Sequence, residues 1–503
     1  FLTKTLPSYG KALDKALHSR TPLTLPGLQK RPGTQLPRFL GWLISRVVDA
    51  NGYPRSDASV LALGALRQIF YLFYKLELPT SVIASNRVID TFIETERELA
   101  EMSFPPAASV VLSKARVLVT RVLGGIRAED IVPKHGPGSV STGEEVHEKS
   151  YFRTTYTALD KVYPFEEYMM LGMSHVADRL VDNELPYRVE EVPTAKVVLV
   201  PKDSRGPRLI SCEPLAIQWI QQGLRSVFYD TIEAHPLTAG HVNFRDQSVN
   251  RNLALVSSVT RRLVTLDMKD ASDRVSLRLV EELFAGTQLL EALKATRSTA
   301  TRLPDGRVVQ LKKFAPMGSA LCFPVEALVF YALAAAVISV NRGLSLHSAT
   351  KDLYVYGDDI ICNAQDYALL LAFFPTVGLR FNADKCCLGG FFRESCGCDA
   401  YKGVDITPTR IKTLWSSRKQ IGATELVSWV EMSNQLWIKG YWRIAECIRT
   451  MVEGRYGPIP TGSTYDPLTY QSERGFDNDR HLPGPQLGTQ ANNDYATCVA
   501  IHG

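Results

Sequence analysis

Asp358 and Asp359 follow Gly357 between two apolar, β-prone runs, Leu353-Tyr354-Val355-Tyr356 and Ile360-Ile361-Cys362. Such a pattern reads as a tight hairpin, with the glycine taking the turn and both carboxylates at its tip. Adjacent carboxylates repel, so a fold that holds them together favours a cation between them. Hard oxygen ligands select Mg²⁺ or Mn²⁺. An isolated Gly-Asp-Asp is more often a solvated turn than a site; a second acidic strand end changes that balance. It lies upstream, where Leu263-Val264-Thr265-Leu266 reads as a short buried strand ending at Asp267. The residues beyond, through Val275, Leu277 and Leu279, have helical spacing, with Ser272 or Asp273 as the expected cap. Three carboxylates from two neighbouring strands can hold two divalent ions ~3.5–4 Å apart, the arrangement used for in-line phosphoryl transfer.

The motifs in order, Asp267-x5-Asp273, then Met317-Gly318-Ser319, then Tyr356-Gly357-Asp358-Asp359, resemble motifs A, B and C of viral RNA-dependent RNA polymerases. The flanking text narrows the likeness. Asp246-Gln247-Ser248-Val249-Asn250 lies ahead of motif A, and Phe392-Arg393-Glu394-Ser395-Cys396-Gly397 and Gly403-Val404-Asp405-Ile406-Thr407-Pro408 follow motif C. Together these are similar to the replicase subunit of the levivirus-type positive-strand RNA bacteriophages. The recognisable part runs from about Lys196 to Pro408.

The resemblance implies an α/β right-hand polymerase with fingers, palm and thumb, its antiparallel palm sheet flanked by helices. Residues 1–190 would form an N-terminal region and fingers, 191–260 fingers with a basic loop, 261–400 the palm, and 401–503 the thumb and a C-terminal extension. It implies template-directed nucleotidyl transfer from ribonucleoside triphosphates, with Asp267, Asp358 and Asp359 binding two Mg²⁺ ions, Mn²⁺ being the alternative. Asp273 would hydrogen-bond the ribose 2′-hydroxyl. Lys196 to Arg208 reads KVVLVPKDSRGPR, a strand entering a basic loop like motif F. Lys202, Arg205 and Arg208 would hold the incoming triphosphate, whose charge matches guanidinium forks. Gly318 would let backbone approach the template–nucleotide pair, and Ser319 offers a hydroxyl near the ribose. Cys322 and Glu326 stand in the region where many polymerases carry threonine and asparagine, which leaves the exact ribose contacts open. Lys385, in a motif D-like run from Val377, could protonate the leaving pyrophosphate; its bland alternative is a surface lysine.

Partners follow from the same likeness: RNA template and product, host translation elongation factors Tu and Ts, and a small-subunit ribosomal protein, in the cytoplasm of the bacterial host. Residues 1–55 and the Pro-, Gly- and Asn-rich tail beyond Tyr456 are either docking surfaces or plain packing. Two other functions share part of this pattern. A reverse transcriptase has the same palm but needs bulk against the 2′-hydroxyl, where Asp273 offers a partner. A non-catalytic RNA-binding protein would bind RNA without metal and synthesise nothing.

Composition permits these readings without selecting among them. At 503 residues, 45% hydrophobic and 22% charged, the chain can build a large core with several subdomains. A net charge of +5 allows nucleic-acid binding, which a local patch would have to carry. The cysteine count, nine, is odd, which argues for a reducing compartment. Cys386, Cys387, Cys396 and Cys398 cluster without paired CxxC spacing, so buried thiols are expected rather than a zinc site. Phe1 is not an initiator methionine, so the natural start is expected upstream, and no signal peptide precedes the first turn signals. Residues 321–340 are almost wholly apolar but contain Pro324 and Glu326, and read as a buried helix rather than a membrane span.

The elements that must position these residues are mostly helical. Residues 58–127 carry helical stripes in which Leu61, Leu63, Leu66, Ile69 and Phe70 are expected to face the core. Helices are also expected over 217–229, 278–298, 367–374 and 409–452, with Trp415, Trp429, Trp437 and Trp442 as packing anchors. A hairpin is expected around Pro304-Asp305-Gly306. Lys134-His135-Gly136-Pro137-Gly138-Ser139 is a glycine-rich loop without the Walker ending, hence a plain turn or, by the likeness, a fingers loop along a phosphate backbone.

Overall fold

A computed structural model describes residues 1–170, 172, 177, 187–203, 206–415, 422–462 and 470–471. Its centre is a three-stranded antiparallel sheet. The strand Leu263–Asp267 is buried at four successive positions, as a strand covered on both faces must be. It pairs with Asp359–Asn363, which pairs in turn with Tyr354–Tyr356. Single bridges lengthen the sheet at both edges, Thr265 to Cys387 on one side and Val242 to Val355 on the other. The register sets Asp267 directly opposite Asp359.

Helices cover this sheet. The Cys322–Arg342 helix is buried at every residue from Pro324 to Ser339, and it packs on Ser109–Leu123 within one large apolar core. It is long and apolar enough to cross a membrane, but 89% of its most apolar window is buried inside the protein. Its apolar surface is therefore already in contact with other side chains.

Three smaller units surround the centre. A mixed sheet has the order Gly206–Cys212, Thr194–Asp203, Ala300–Arg302, Val308–Gln310. A meander of Phe392–Ser395, Cys398–Tyr401 and Val404–Asp405 follows the central sheet. The helices Ala423–Ile438 and Trp442–Tyr456 pack together through Val430, Leu436, Ala445 and Val452. The N-terminal helix Thr5–Ser19 lies on Val60–Tyr71, and the fully buried Arg67 pairs with both Asp14 and Asp399. Removing one partner from such a buried set costs about 3–5 kcal/mol. The α/β class, with an antiparallel sheet flanked by helices, is the expected one.

Several local expectations differ from what the chain does. Leu63, Leu66 and Phe70 are fully buried, but Leu61 is 87% exposed and Ile69 also faces solvent. The buried stripe runs through Leu63, Leu66, Arg67, Phe70 and Tyr71, the ordinary i, i+3, i+4, i+7, i+8 face, which leaves Leu61 and Ile69 outside it. Neither Ser272 nor Asp273 caps the helix after Asp267. A single turn, Ala271–Arg274, comes first, and Ser276 caps Leu277–Phe284 by accepting from Leu279 N–H at 3.0 Å. Residues 278–298 are not one helix: Leu277–Phe284 and Leu289–Ala295 are separated near Gly286, whose φ is 88°. Residues 409–415 are not helical, and the first helix described after them begins at Ala423. Trp415, Trp429 and Trp437 pack at the helical pair, whereas Trp442 is exposed. The hairpin around Pro304 and the helix Tyr367–Phe373 form as expected. Cys386, Cys387 and Cys398 are buried free thiols, and Cys396 is half-buried.

Candidate active site

Each acidic residue owes its place to the central strands. Asp267 is the last residue of its strand, Asp359 the first of the neighbouring one, and Asp358 occupies the turn between Tyr356 and Asp359. Asp267 is held on both oxygens. Lys385 Nζ donates to Oδ1 at 2.9 Å, and Asn382 Nδ2 donates to Oδ2 at 2.9 Å. Asn382 N–H also donates to the Asp267 carbonyl at 2.8 Å, so this residue clamps side chain and backbone together. Asp359 Oδ2 accepts from Cys396 N–H at 2.7 Å.

The charges resist one another. Burial, then the neighbouring Asp358, pushes Asp359 up to about 6. Asp358 is also raised, by the protein packed around its carboxyl and then by Asp267. Burial works against the Lys385 ammonium, but Glu394, Asp267 and Asp359 outweigh it and hold the proton more tightly than usual. A cluster with this much mutual repulsion is a site for positive charge. Among the described residues, no three His, Cys, Asp or Glu side chains stand ready-made around a metal ion, so Asp267, Asp358 and Asp359 would have to draw together to share one.

The turn that carries Asp358 rests on an aromatic floor. Gly357 has φ 60°, and a Cβ there would lie 2.2 Å from the Phe323 ring. Phe323 meets Tyr356 edge-on at 5.4 Å and Phe244 at 5.8 Å. Gln247 Nε2 donates to the Tyr356 hydroxyl at 3.1 Å, so the Asp246–Asn250 stretch braces the hairpin from outside.

The basic segment is a hairpin rather than a loop, with Thr194–Asp203 pairing antiparallel to Gly206–Cys212. Lys202 and Arg208 are exposed on its two strands. The Lys202 charge reaches Asp358, where it favours the carboxylate. Arg205 lies outside the described residues. Gly318 is placed by the same hairpin: its φ is 120°, Met317 O accepts from Ser211 N–H at 2.8 Å, and a Cβ would lie 2.2 Å from Ser211 O. Ser319 is buried and its Oγ accepts from Leu321 N–H at 3.3 Å, which points the hydroxyl at the start of the core helix. Asp273 stands apart from the carboxylate cluster. Its Oδ1 accepts from the buried Lys313 Nζ at 2.6 Å.

Three residues near the site had no assigned role in the sequence. Glu394 lies close enough to Lys385, Asp267 and Asp359 for burial, Asp399 and these carboxylates to push it up to about 8. Its only signal was membership of the Phe392–Gly397 run. Glu326, buried on the core helix, is held well above the usual carboxylate range by burial and then by Asp358. Lys75 joins the basic hairpin, since burial and then Arg410, and further the Lys202 and Arg208 charges, depress its pKa. Nothing in its local sequence points there. In the glycine-rich loop, Lys149 Nζ donates to the carbonyls of Gly136 at 3.1 Å and Gly138 at 2.6 Å.

The family model for RNA replicase, beta-chain, matches residues 90–422. The chain is 39% identical over 226 residues to the RNA-directed RNA polymerase subunit beta of Enterobacteria phage SP, covering 45% of this chain and 37% of that one. It is 38% identical over 226 residues to the corresponding subunit of Escherichia virus Qbeta, covering 45% and 36%. The beta chain of Escherichia phage MS2 is 32% identical over 216 residues, covering 43% and 37%. The matched stretch thus spans little more than a third of each relative. Among solved structures, the RNA-dependent RNA polymerase of a human picorbirnavirus aligns over 76% of each chain at 12% identity and a TM-score of 0.46. With two thirds of its length matched by the family model, the chain belongs to the RNA replicase beta-chain family.

Proposed function

We propose that this chain is an RNA-directed RNA polymerase that copies a positive-strand RNA phage genome. The observation that carries this is the cross-strand pairing of Asp267 with Asp359, with Asp358 beside it and Lys385 on Asp267. The relatives are RNA-directed RNA polymerase subunits by name.

Asp267, Asp358 and Asp359 would hold Mg²⁺ or Mn²⁺. Their oxygen donors suit a hard cation, and the raised pKa values of Asp358 and Asp359 mark negative charge that lacks compensation. When bound, two such ions would stabilise the attacking 3′-oxygen and the leaving pyrophosphate. Lys202 and Arg208, with Arg205 on the same segment, would hold the triphosphate. Gly318 keeps backbone bare beside the nucleotide, and Ser319 shapes the start of the helix behind it. Asp273 would face the ribose 2′-hydroxyl. Lys385 orients Asp267 and keeps its own proton; it can release that proton to pyrophosphate only when the pull of Asp267 on it weakens.

In this reading residues 1–260 hold the N-terminal region and fingers, 261–400 the palm and 401–503 the thumb and extension. RNA template, RNA product and ribonucleoside triphosphates are the substrates. Host elongation factors Tu and Ts and a small-subunit ribosomal protein are the proposed partners, in the bacterial cytoplasm. The test is RNA synthesis from a defined template and the four ribonucleotides, with and without Mg²⁺, for the wild type and Asp358→Asn. Synthesis that needs Mg²⁺ and is lost in the variant is expected. Metal-independent RNA binding with no product would replace the polymerase reading with a binding one.

A further inference from the structure

Lys313 is fully buried, an unusual place for a lysine, and three groups account for it. Its Nζ lies 2.6 Å from Asp273 Oδ1 and 3.1 Å from Glu96 Oε1, and 3.6 Å over the centre of the Phe92 ring. The backbone brings it there. Lys313 bridges Ser276, Leu277 N–H donates to Lys312 O, and Phe314 N–H donates to Val275 O, each at 2.8 Å for the last two bonds. That short pairing lays the segment before Gly318 along the segment after Asp273. Glu96 closes the arrangement, because its Oε2 accepts from the backbone N–H groups of Lys312 and Lys313.

Asp273 is only partly covered. Its side chain is 31% exposed, and the turn that bears it, Ala271–Arg274, is only four residues long. Cys322 and Glu326 of the core helix are also close enough to feel its charge, and Cys322 feels Lys313 as well. No amide side chain from that helix is bonded to it; among the described residues, its carboxylate accepts its hydrogen bond from Lys313.

We propose that Lys313 is the positioning residue for sugar selection: it fixes one oxygen of Asp273 so that the other is presented to the ribose 2′-hydroxyl. This rests on the polymerase reading and on Asp273 as its ribose contact. A carboxylate anchored on one oxygen is a directed acceptor, whereas an unanchored one can swing to water and lose the geometry that distinguishes a ribonucleotide from a deoxyribonucleotide. Glu96 then anchors the anchor, and the charge on Lys313 is matched inside the protein.

The experiment compares kcat and KM for UTP and dTTP on one RNA template in Mg²⁺. Lys313→Met alone would strand Glu96 as a buried unpaired carboxylate, so the informative variant is the double change Lys313→Met with Glu96→Gln, which removes both charges. Glu96→Gln alone leaves Lys313 on Asp273 and should lower selectivity less than the double change does. In the folded double variant the UTP/dTTP ratio of kcat/KM should fall about tenfold, the scale of losing one directed hydrogen bond to a charged group. The loss should sit in KM for UTP, with KM for dTTP unchanged. A ratio within about twofold of wild type would overturn the proposal, as would equal losses for both substrates, which a purely structural role would produce. Asp273→Ala separates the two layers. If that variant keeps full selectivity, Asp273 is not the ribose contact, and if the wild type makes no RNA, the polymerase reading itself fails.

Discussion

Lys385 and Asp267 lie 118 positions apart in the chain and are joined by a 2.9 Å hydrogen bond from Nζ to Oδ1. The bond holds the carboxylate at the strand end and keeps the lysine protonated. Lys385→Met should therefore lower kcat by about 10²-fold or more, the lower range for loss of general-acid help. Lys385→Arg retains the charge and should recover part of it. Single-nucleotide addition, measured in rapid-quench mode, checks this; a kcat within about threefold of wild type for Lys385→Met would leave the lysine as a surface charge.

Gly357 and Phe323 make a second pair whose fit can be tested without assuming any function. A Cβ at position 357 would lie 2.2 Å from the ring, at a φ of 60°. Gly357→Ala should lower stability by about 1–3 kcal/mol, the usual range for a strained backbone position, and remove activity. Adding Phe323→Leu should return part of the stability, because the ring supplies the clash and not the φ. Urea unfolding of the two variants measures both parts.

The central strands were legible in the sequence because their chemistry is local. Leu263–Leu266 is a buried, mostly apolar run ended by Asp267, and Gly357 marks the turn of the neighbouring hairpin without help from elsewhere. Several of the misjudged features depend on partners far along the chain. Leu61 and Leu63 are alike in type, but two positions apart they face opposite sides of the helix, and the side packed against Thr5–Ser19 and Gly41–Ile44 takes Leu63. Ser272 and Ser276 are equal as caps by type, and the pairing of Val275 and Leu277 with residues 312–314 selects Ser276. Glu394 and Lys313 carry no motif of their own; their meaning comes from Lys385 and Asp273, which the fold brings to them.

Lys202 and Arg208 are exposed on adjacent strands of the hairpin, where neither holds up a core. Lys202→Ala and Arg208→Ala should each raise the KM for ribonucleoside triphosphates about tenfold, as loss of one charge-assisted contact does. Thermal stability should stay within about ±0.5 kcal/mol of wild type. Loss of template affinity at unchanged nucleotide KM would move the hairpin from the triphosphate to the RNA backbone.

Glu394 gives the cluster a pH dependence of known sign. Burial, then Asp399 and the site carboxylates, raises its folded pKa to about 8, above the ordinary 4.5. Between these values the folded state binds a proton that the unfolded chain has lost, so stability falls as pH rises through the window. The contribution is complete below pH 4.5 and gone above about 8. Glu394→Gln cannot titrate and removes one repelling charge from beside Asp267 and Asp359. The variant should therefore show a flatter fall in melting temperature between pH 5 and 8 than the wild type, both measured in EDTA. Mg²⁺ added at pH 8 should raise the wild-type melting temperature, since the remaining repulsion is what a bound cation relieves. An equal slope in the two proteins would mean that Glu394 stays ionised in the fold and that Lys385 alone compensates it.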